Sequence, residues 1–444
     1  MNLLIHQNPV SFKLEVSKKV TATSFAGIVL MRKAMKTWGL IDEMERFGFK
    51  KAGFSDAVIV EALVLLIASG GRSLSDWEYL KGEMGFDRMF GKTCPSVDTL
   101  ERYLRRLSLL IPERDSNAGQ VGYTACFETL QEILILSAWK AIGSPKKMTL
   151  DLDAMIIETD KRDALYCYEK VKAYQPMNAY CPELGMVLAH EFRDGNVSPM
   201  EGYQRIIERC RKLLPQVRWI VRSDSAGYQN EFLDWMTDQR IAYVMTARET
   251  EALQAEMISA DGWRPLILDG FDLGEEITEV IHCPDAGSRK ELHRRMNDRR
   301  YLALRKTKGQ QEIFISQIVV TNDLTSTEEK VVTKHRGRCG SIEHFHSQLK
   351  GGLGMDSLPS NDFKVNAAWY ALGCLAHNLL RLIQSSLFQE DWKKLEIKTF
   401  RFRFLRLAAL VISKARRVIL KFHKDHPIVP IYLQAWERLA ILSG

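Results

Sequence analysis

KMTLDLDAMIIET, running from Lys147 to Thr159, marks the place where the texture of this chain changes. Its apolar and polar residues alternate with the period of a strand, so Asp151 and Asp153 share one face while Leu150 and Leu152 point to the other. Two further strand candidates follow, YQPMNAYC and LGMVLAHEFRDG, and MEGYQRIIERCRKLL from Met200 then reads as an amphipathic helix. VRWIVRSDS gives another strand, YQNEFLDWMTDQ a helix and IAYVMTA a strand. The order β-β-β-α-β-α-β predicts a three-strand meander continued by alternating elements, an α/β layer structure in which sites lie at strand ends.

Upstream, from about Ser24 to Leu136, apolar residues recur at spacings of three and four in FAGIVLMRKAMKTWGLIDEMERF and FSDAVIVEALVLLIASG, which predicts a helical amino-terminal domain. Within it, CPSVDTLERYLRRLSLL opens on a Pro-Ser pair suited to a helix start and sets Arg102, Arg105 and Arg106 against Leu100, Leu104 and Leu107. That pattern suits either the recognition helix of a helix-turn-helix or an ordinary amphipathic surface helix. Downstream, between about Trp263 and Val332, the short runs RPLILDG, EEITEVIHC, RRYLALRKT and EIFISQIVVTN predict a β-rich insertion. SIEHFHSQLK and NAAWYALGCLAHNLLRLIQSSL then read as helices. In the tail, Arg401, Arg403 and Arg406 interleave with Phe400, Phe402 and Phe404, which predicts a strand with one apolar and one basic face, either half-buried or tracking phosphates.

The 444 residues, 46% of them apolar, are enough for several packed cores. Lys and Arg number 62 against 55 Asp and Glu, so the formal charge of +7 only hints at an acidic partner, and local clustering must carry that case. The eight cysteines are scattered without a CxxC pair, the pattern of free thiols in a reducing compartment. MNLLIHQNPVSFKLEV lacks the features of a signal peptide, and AVIVEALVLLIASGG is too short to span a bilayer and contains Glu61; a cytoplasmic protein with no membrane partner is expected.

Three acids stand out beyond this background. Asp151 and Asp153 share a strand face, where at least one could bind a hard cation such as Mg²⁺ or Mn²⁺. Asp224 ends an apolar strand as the chain turns through Ser225-Ala226-Gly227, a common site position and also a common place for an aspartate that caps. The third, Glu343, lies within KHRGRCGSIEHFHSQLKGGLG, Lys334 to Gly354. On a helix, Glu343, His346, Ser347 and Lys350 would line one side, with Ile342, Phe345 and Leu349 opposite and Arg336 and Arg338 just before. Carboxylates from separate elements flanked by bases suit two-metal phosphoryl transfer on a polyanion. A zinc site built from His335, Cys339, His344 and His346 fits less well, because His344 and His346 face different ways on a helix and Cys339 has no spaced partner.

LDLDAMIIE, VRSDSAGYQNEFLDWM and HRGRCGSIEHFHSQLKGGLGMDSLPSNDFKVNAAWYALGCLAHNLL, in this order, resemble the DDE transposases of bacterial insertion sequences, especially the insertion-sequence 1380 group. The resemblance covers nearly the whole chain. It implies an RNase H-like catalytic core with a β-rich insertion, plus a helical N-terminal domain and a helical and β C-terminal region. The corresponding segments are 1–143, 144–262, 263–332, 333–390 and 391–444. It implies DNA cleavage and joining at terminal inverted repeats with Mg²⁺ or Mn²⁺, double-stranded DNA as partner, and a homodimer on that DNA. Carried over by residue, the catalytic metal ligands are Asp153 (Asp151 the alternate), Asp224 and Glu343, with Arg338 and Lys350 as phosphate contacts; Arg336, His346, Arg102, Arg105 and Arg106, read from their own segments, are further candidate DNA contacts. Related transposases carry Tyr, two residues, Arg, three residues, Glu, six residues, Lys. Here Arg338, Glu343 and Lys350 match, with four residues between the first two, and His335 stands in place of the tyrosine. The separation of 119 residues between Asp224 and Glu343 (343 − 224) agrees with an insertion.

Overall fold

The computed structural model describes residues 21–91, 93–111, 121–122, 125–308, 312–415 and 417–442. The opening MNLLIHQNPVSFKLEV, expected to lack a signal peptide, lies outside the described residues. The first third is helical, with α1 (Ile28–Thr37), α2 (Asp56–Ser69), α3 (Val97–Ser108) and α4 (Ala125–Ala141) as its main elements. Helix α2 is apolar all round and buried on every side, as such a composition requires. Glu61 is tolerated inside it because Arg32 donates from Nε at 2.7 Å. In α3, Ser96 caps the start, Leu100, Tyr103, Leu104 and Leu107 pack inward, and Arg102, Arg105 and Arg106 face solvent.

The expected meander forms from β1 (Lys147–Ala154), β2 (Met177–Cys181) and β3 (Met186–Arg193). Then come α5 (Tyr203–Leu213), β4 (Arg218–Ser223), α6 (Asn230–Asp238) and β5 (Ala242–Thr246). In space the strands run β3-β2-β1-β4-β5, with β1, β4 and β5 parallel and β2 antiparallel to both neighbours. This is an RNase H-like core. The β-rich insertion supplies β6 (Arg264–Leu268), β7 (Phe271–Val280), β8 (Arg300–Lys308) and β9 (Glu312–Thr321), and it does not stand apart. β9 pairs antiparallel with β5, so the insertion continues the core into one ten-stranded sheet. It also holds a helix, Arg289–Asp298, capped by Ser288, that the polar run RKELHRRMND does not announce. The segment ends expected after 143 and 262 fall between elements, and those after 332 and 390 fall inside short helices.

Three helices return the chain to the core: α7 (Glu328–Arg336), α8 (Ile342–Ser347) and α9 (Phe363–Leu387). Helix α9 is buried over most of its surface and packs on α2, α3, α4 and β3, so the helical and α/β parts share one apolar core. The tail corrects one expectation. Phe400 to Phe404 lie in a helix, α10 (Ile397–Phe404), not a strand. Ile397, Phe400 and Phe404 are buried at spacings of three and four while Phe402 is 64% exposed, so a period near 3.6 outweighs the local alternation. Arg401 turns inward and donates to the Gly352 carbonyl at 2.5 Å. The strands 409–414 and 417–421 pair beyond it, and 22–23 joins them.

Candidate active site

Strand register separates the two aspartates of LDLDA. β1 and β4 run parallel with Asp151 opposite Arg222. Asp153 lies two residues beyond that pair and Asp224 just past the end of β4, so both acids sit at the same edge of the sheet, near enough for Asp224 to raise the Asp153 pKa. Asp151 is fully buried. Arg222 donates to both its oxygens, at 2.5 and 2.8 Å, and Ser341 Oγ donates at 2.7 Å. Burial pushes the Asp151 carboxyl up while Arg222 and Ser341 pull it down. Its oxygens are committed within the fold, so of the two candidates Asp153 is the one beside the other acids.

Asp153 is one-fifth exposed, and burial raises its pKa to about 6; Arg338 opposes the rise, and the carboxylates of Asp224 and Glu343 add to it. Asp224 Oδ1 accepts from the Ala226 amide at 3.0 Å, capping the short turn that follows. Glu343 Oε2 accepts from the Gly340 amide at 2.8 Å. The Arg338 guanidinium bridges two of the acids, forming an ion pair with Asp153 from Nη2 at 2.9 Å and donating to Glu343 Oε1 from Nη1 at 3.4 Å. Arg338, half-buried, thus ties Asp153 to Glu343, while Asp224 lies near enough for its charge to raise the Asp153 pKa.

Ile342, Phe345 and Leu349 are buried as the helical reading requires, Phe345 stacking on Tyr180 of β2. Residues 348–352 then widen into a π-turn, a distortion that recurs at functional sites. Lys350 lies on this turn. It faces an open groove of about 600 Å³ together with Asp153, Tyr168, Glu169, His346 and Asp356. Two candidate DNA contacts are held by the fold. His346 meets Asn178 at 3.2 Å, and burial pushes its pKa down to about 3, so it is neutral. Arg336 pairs with Glu275 of β7. His335 sits 5% exposed, 3.0 Å from Thr246 Oγ1, with its pKa lowered to about 4 by burial. Arg105 pairs with Glu101 on the exposed face of α3, beside Arg102 and Arg106.

A family model described as "Transposase DDE domain group 1" matches residues 17–443. The chain belongs to this family. The match sets the DDE transposase family and does not reach the narrower insertion-sequence 1380 group. Among solved structures, the chain is similar to piggyBac transposase in a synaptic complex with hairpin DNA. The identity is 12% and the TM-score 0.44, over 84% of this chain and 80% of that one. No curated protein sequence matches.

The donor chemistry of this DDE transposase suits a hard cation: three carboxylates, one of them desolvated and repelled by the others. Among the described residues, no three His, Cys, Asp or Glu side chains stand close enough to hold an ion as arranged, and Arg338 occupies the space that links Asp153 to Glu343. The same absence applies to zinc at His335, Cys339, His344 and His346. Sequence reasoning missed Arg222, although it precedes Asp224 by the same two residues that separate Asp151 from Asp153, a repeat that a matched register turns into pairs. It also missed Tyr168 and Glu169. They lie just after 165–166, in a segment whose strands 157–158, 165–166 and 172–174 are too short to leave a period. Among the described residues no helix is long and apolar enough to cross a membrane.

Proposed function

We propose that this chain is the transposase of an insertion sequence, cleaving DNA at terminal inverted repeats and joining the freed ends to target DNA. Asp153, Asp224 and Glu343 would hold Mg²⁺ or Mn²⁺. When bound, such ions polarise the phosphodiester and lower the pKa of attacking water. Water, and then a DNA 3′-hydroxyl, attacks in line, so no protein nucleophile is required. Asp153 sits at the strand end where desolvation strengthens its attraction for any cation. Arg338 neutralises Asp153 and Glu343 between turnovers and, once released from them, offers a planar fork to phosphate oxygens. Lys350, whose pKa is lowered by burial, adds a point charge on the groove wall. The exposed arginines of α3 hold backbone phosphates outside the groove, and a homodimer brings two ends together.

One observation supports the reading above the others: the parallel β1–β4 register carries Asp153 and Asp224 to the same edge of the sheet, and Arg338 ties Asp153 to Glu343. The test is cleavage of a labelled duplex carrying an element end, with Mg²⁺, by wild type, Asp224→Ala and Glu343→Ala. All three should bind, and only the wild type should cut. Equal binding without cutting by any of them would make the chain a DNA-binding regulator or a decayed copy. Cutting without joined product, when a target plasmid is supplied, would make it a nuclease.

A further inference from the structure

The parallel strands have a second end. β1 carries Asp153 near its carboxyl end and β4 is followed by Asp224, while the amino ends of β4 and β5 open on a cleft of about 860 Å³. The length of β4 sets this cleft apart from Asp224 by about 20 Å, at about 3.3 Å per residue. Six Lys or Arg side chains line it against one carboxylate, Glu208. Arg205 and Arg209 answer to Glu191 and Glu128. Among the described residues Lys212, Arg218 and Arg240 make no ion pair, and Arg211 reaches only the neutral Gln239, at 3.1 Å.

Arg211 and Lys212 have a local reason to be there, since cations favour the carboxyl end of a helix. That reason does not extend to Arg218, exposed at the start of β4, or to Arg240, held at φ 55°, where ordinary side chains are uncommon. Trp219 lines the cleft while only 4% exposed, and its Nε1 has no acceptor among the described residues. Three cations without an ion pair, in a cleft lined by one carboxylate, are arranged for an anion. The cleft is too large and open for one phosphate. Lys147, opposite Arg218 in the register, carries the basic edge onto the next strand. Three neighbouring strands span about 10 Å, a length over which duplex DNA presents about six charges.

We propose that this cleft is a second DNA-backbone site, taking a duplex segment other than the one whose phosphodiester meets the acids. The inference rests on the reading of the chain as an enzyme acting on DNA. Its cations act as sequence-independent phosphate contacts, which suits flanking or target DNA.

The probe is a random-sequence duplex without an element end, followed by fluorescence anisotropy across a KCl series. The variant Lys212→Gln/Arg218→Gln/Arg240→Asn is compared with wild type and with Lys51→Gln/Lys394→Gln/Lys424→Gln, which removes the same charge elsewhere. All six positions are exposed, and equal thermal midpoints establish that the variants fold. The cleft variant should bind at least about tenfold more weakly in 100 mM salt, with the slope of log affinity on log salt shallower by about 2 to 3, while the control stays near wild type. Wild-type affinity and slope in the cleft variant, or an equal loss in the control, would overturn the inference. So would displacement of the duplex by polyglutamate at matched charge. Metal-dependent cutting is scored separately: a wild type that binds through the cleft and never cuts defeats the proposed function and leaves this site standing.

Discussion

Replacing each aspartate of LDLDA by asparagine should move stability and metal binding in opposite directions. Asp151→Asn leaves the Arg222 guanidinium, 8% exposed, without its counter-charge. Breaking a buried pair in this way costs about 3 to 5 kcal/mol. At about 2.1 cal/mol/K per residue, the 444 residues give an unfolding entropy of about 0.9 kcal/mol/K, so the midpoint should fall by about 3 to 6 °C. Asp153→Asn removes a carboxylate whose pKa is raised from 3.8 to about 6, a shift equivalent to about 3 kcal/mol at neutral pH. In chelator at pH 7.5 its midpoint should therefore hold or rise by up to about 3 °C. The assay is thermal unfolding with EDTA and with saturating Mg²⁺. Asp151→Asn should keep the rise that Mg²⁺ produces in the wild type, and Asp153→Asn should lose it. An Asp151→Asn protein as stable as wild type that no longer responds to Mg²⁺ would refute the assignment.

The raised Asp153 pKa also fixes a pH dependence. The folded state holds this proton more tightly than the unfolded chain, so the stability contributed is full below about pH 4 and is lost as pH rises through about 6. Denaturant unfolding in chelator should show that decline, Asp153→Asn should flatten it, and Mg²⁺ stabilisation should appear only above about pH 6. Arg338→Ala should weaken the apo protein and strengthen Mn²⁺ binding in calorimetry, because the acids lose their internal cation; weaker Mn²⁺ binding would show that Arg338 holds the ligands in place. Gly195→Ala would set a Cβ 2.4 Å from the Leu165 carbonyl oxygen and 2.5 Å from that of Ala173. Overpacking of this kind costs about 1 to 3 kcal/mol, and it should displace the strands beside Tyr168 and lower cutting as well as the midpoint.

The residues alone were enough to set the α/β order, the β-rich insertion and the helical first third, and they singled out Asp224 and Glu343 as candidates. Each rests on a local pattern or on a chain position that survives without neighbours: alternation in the strands, long apolar runs in α2 and α9, an acid at the end of an apolar run. What stayed open depended on partners far away in the chain. Asp151 and Asp153 share a face, a residue type and a strand, and only the register against β4 gives one an arginine and the other an aspartate for a neighbour. The tail reads locally as an interleaved strand, and only the meeting of Ile397, Phe400 and Phe404 with the core makes it a helix. Arg336 and His346 look like free bases until Glu275 and Asn178 claim them. Periodicity says which side of an element is buried; register and packing decide which charge meets which, and in this molecule they give Asp151 to Arg222 and Asp153 to Arg338.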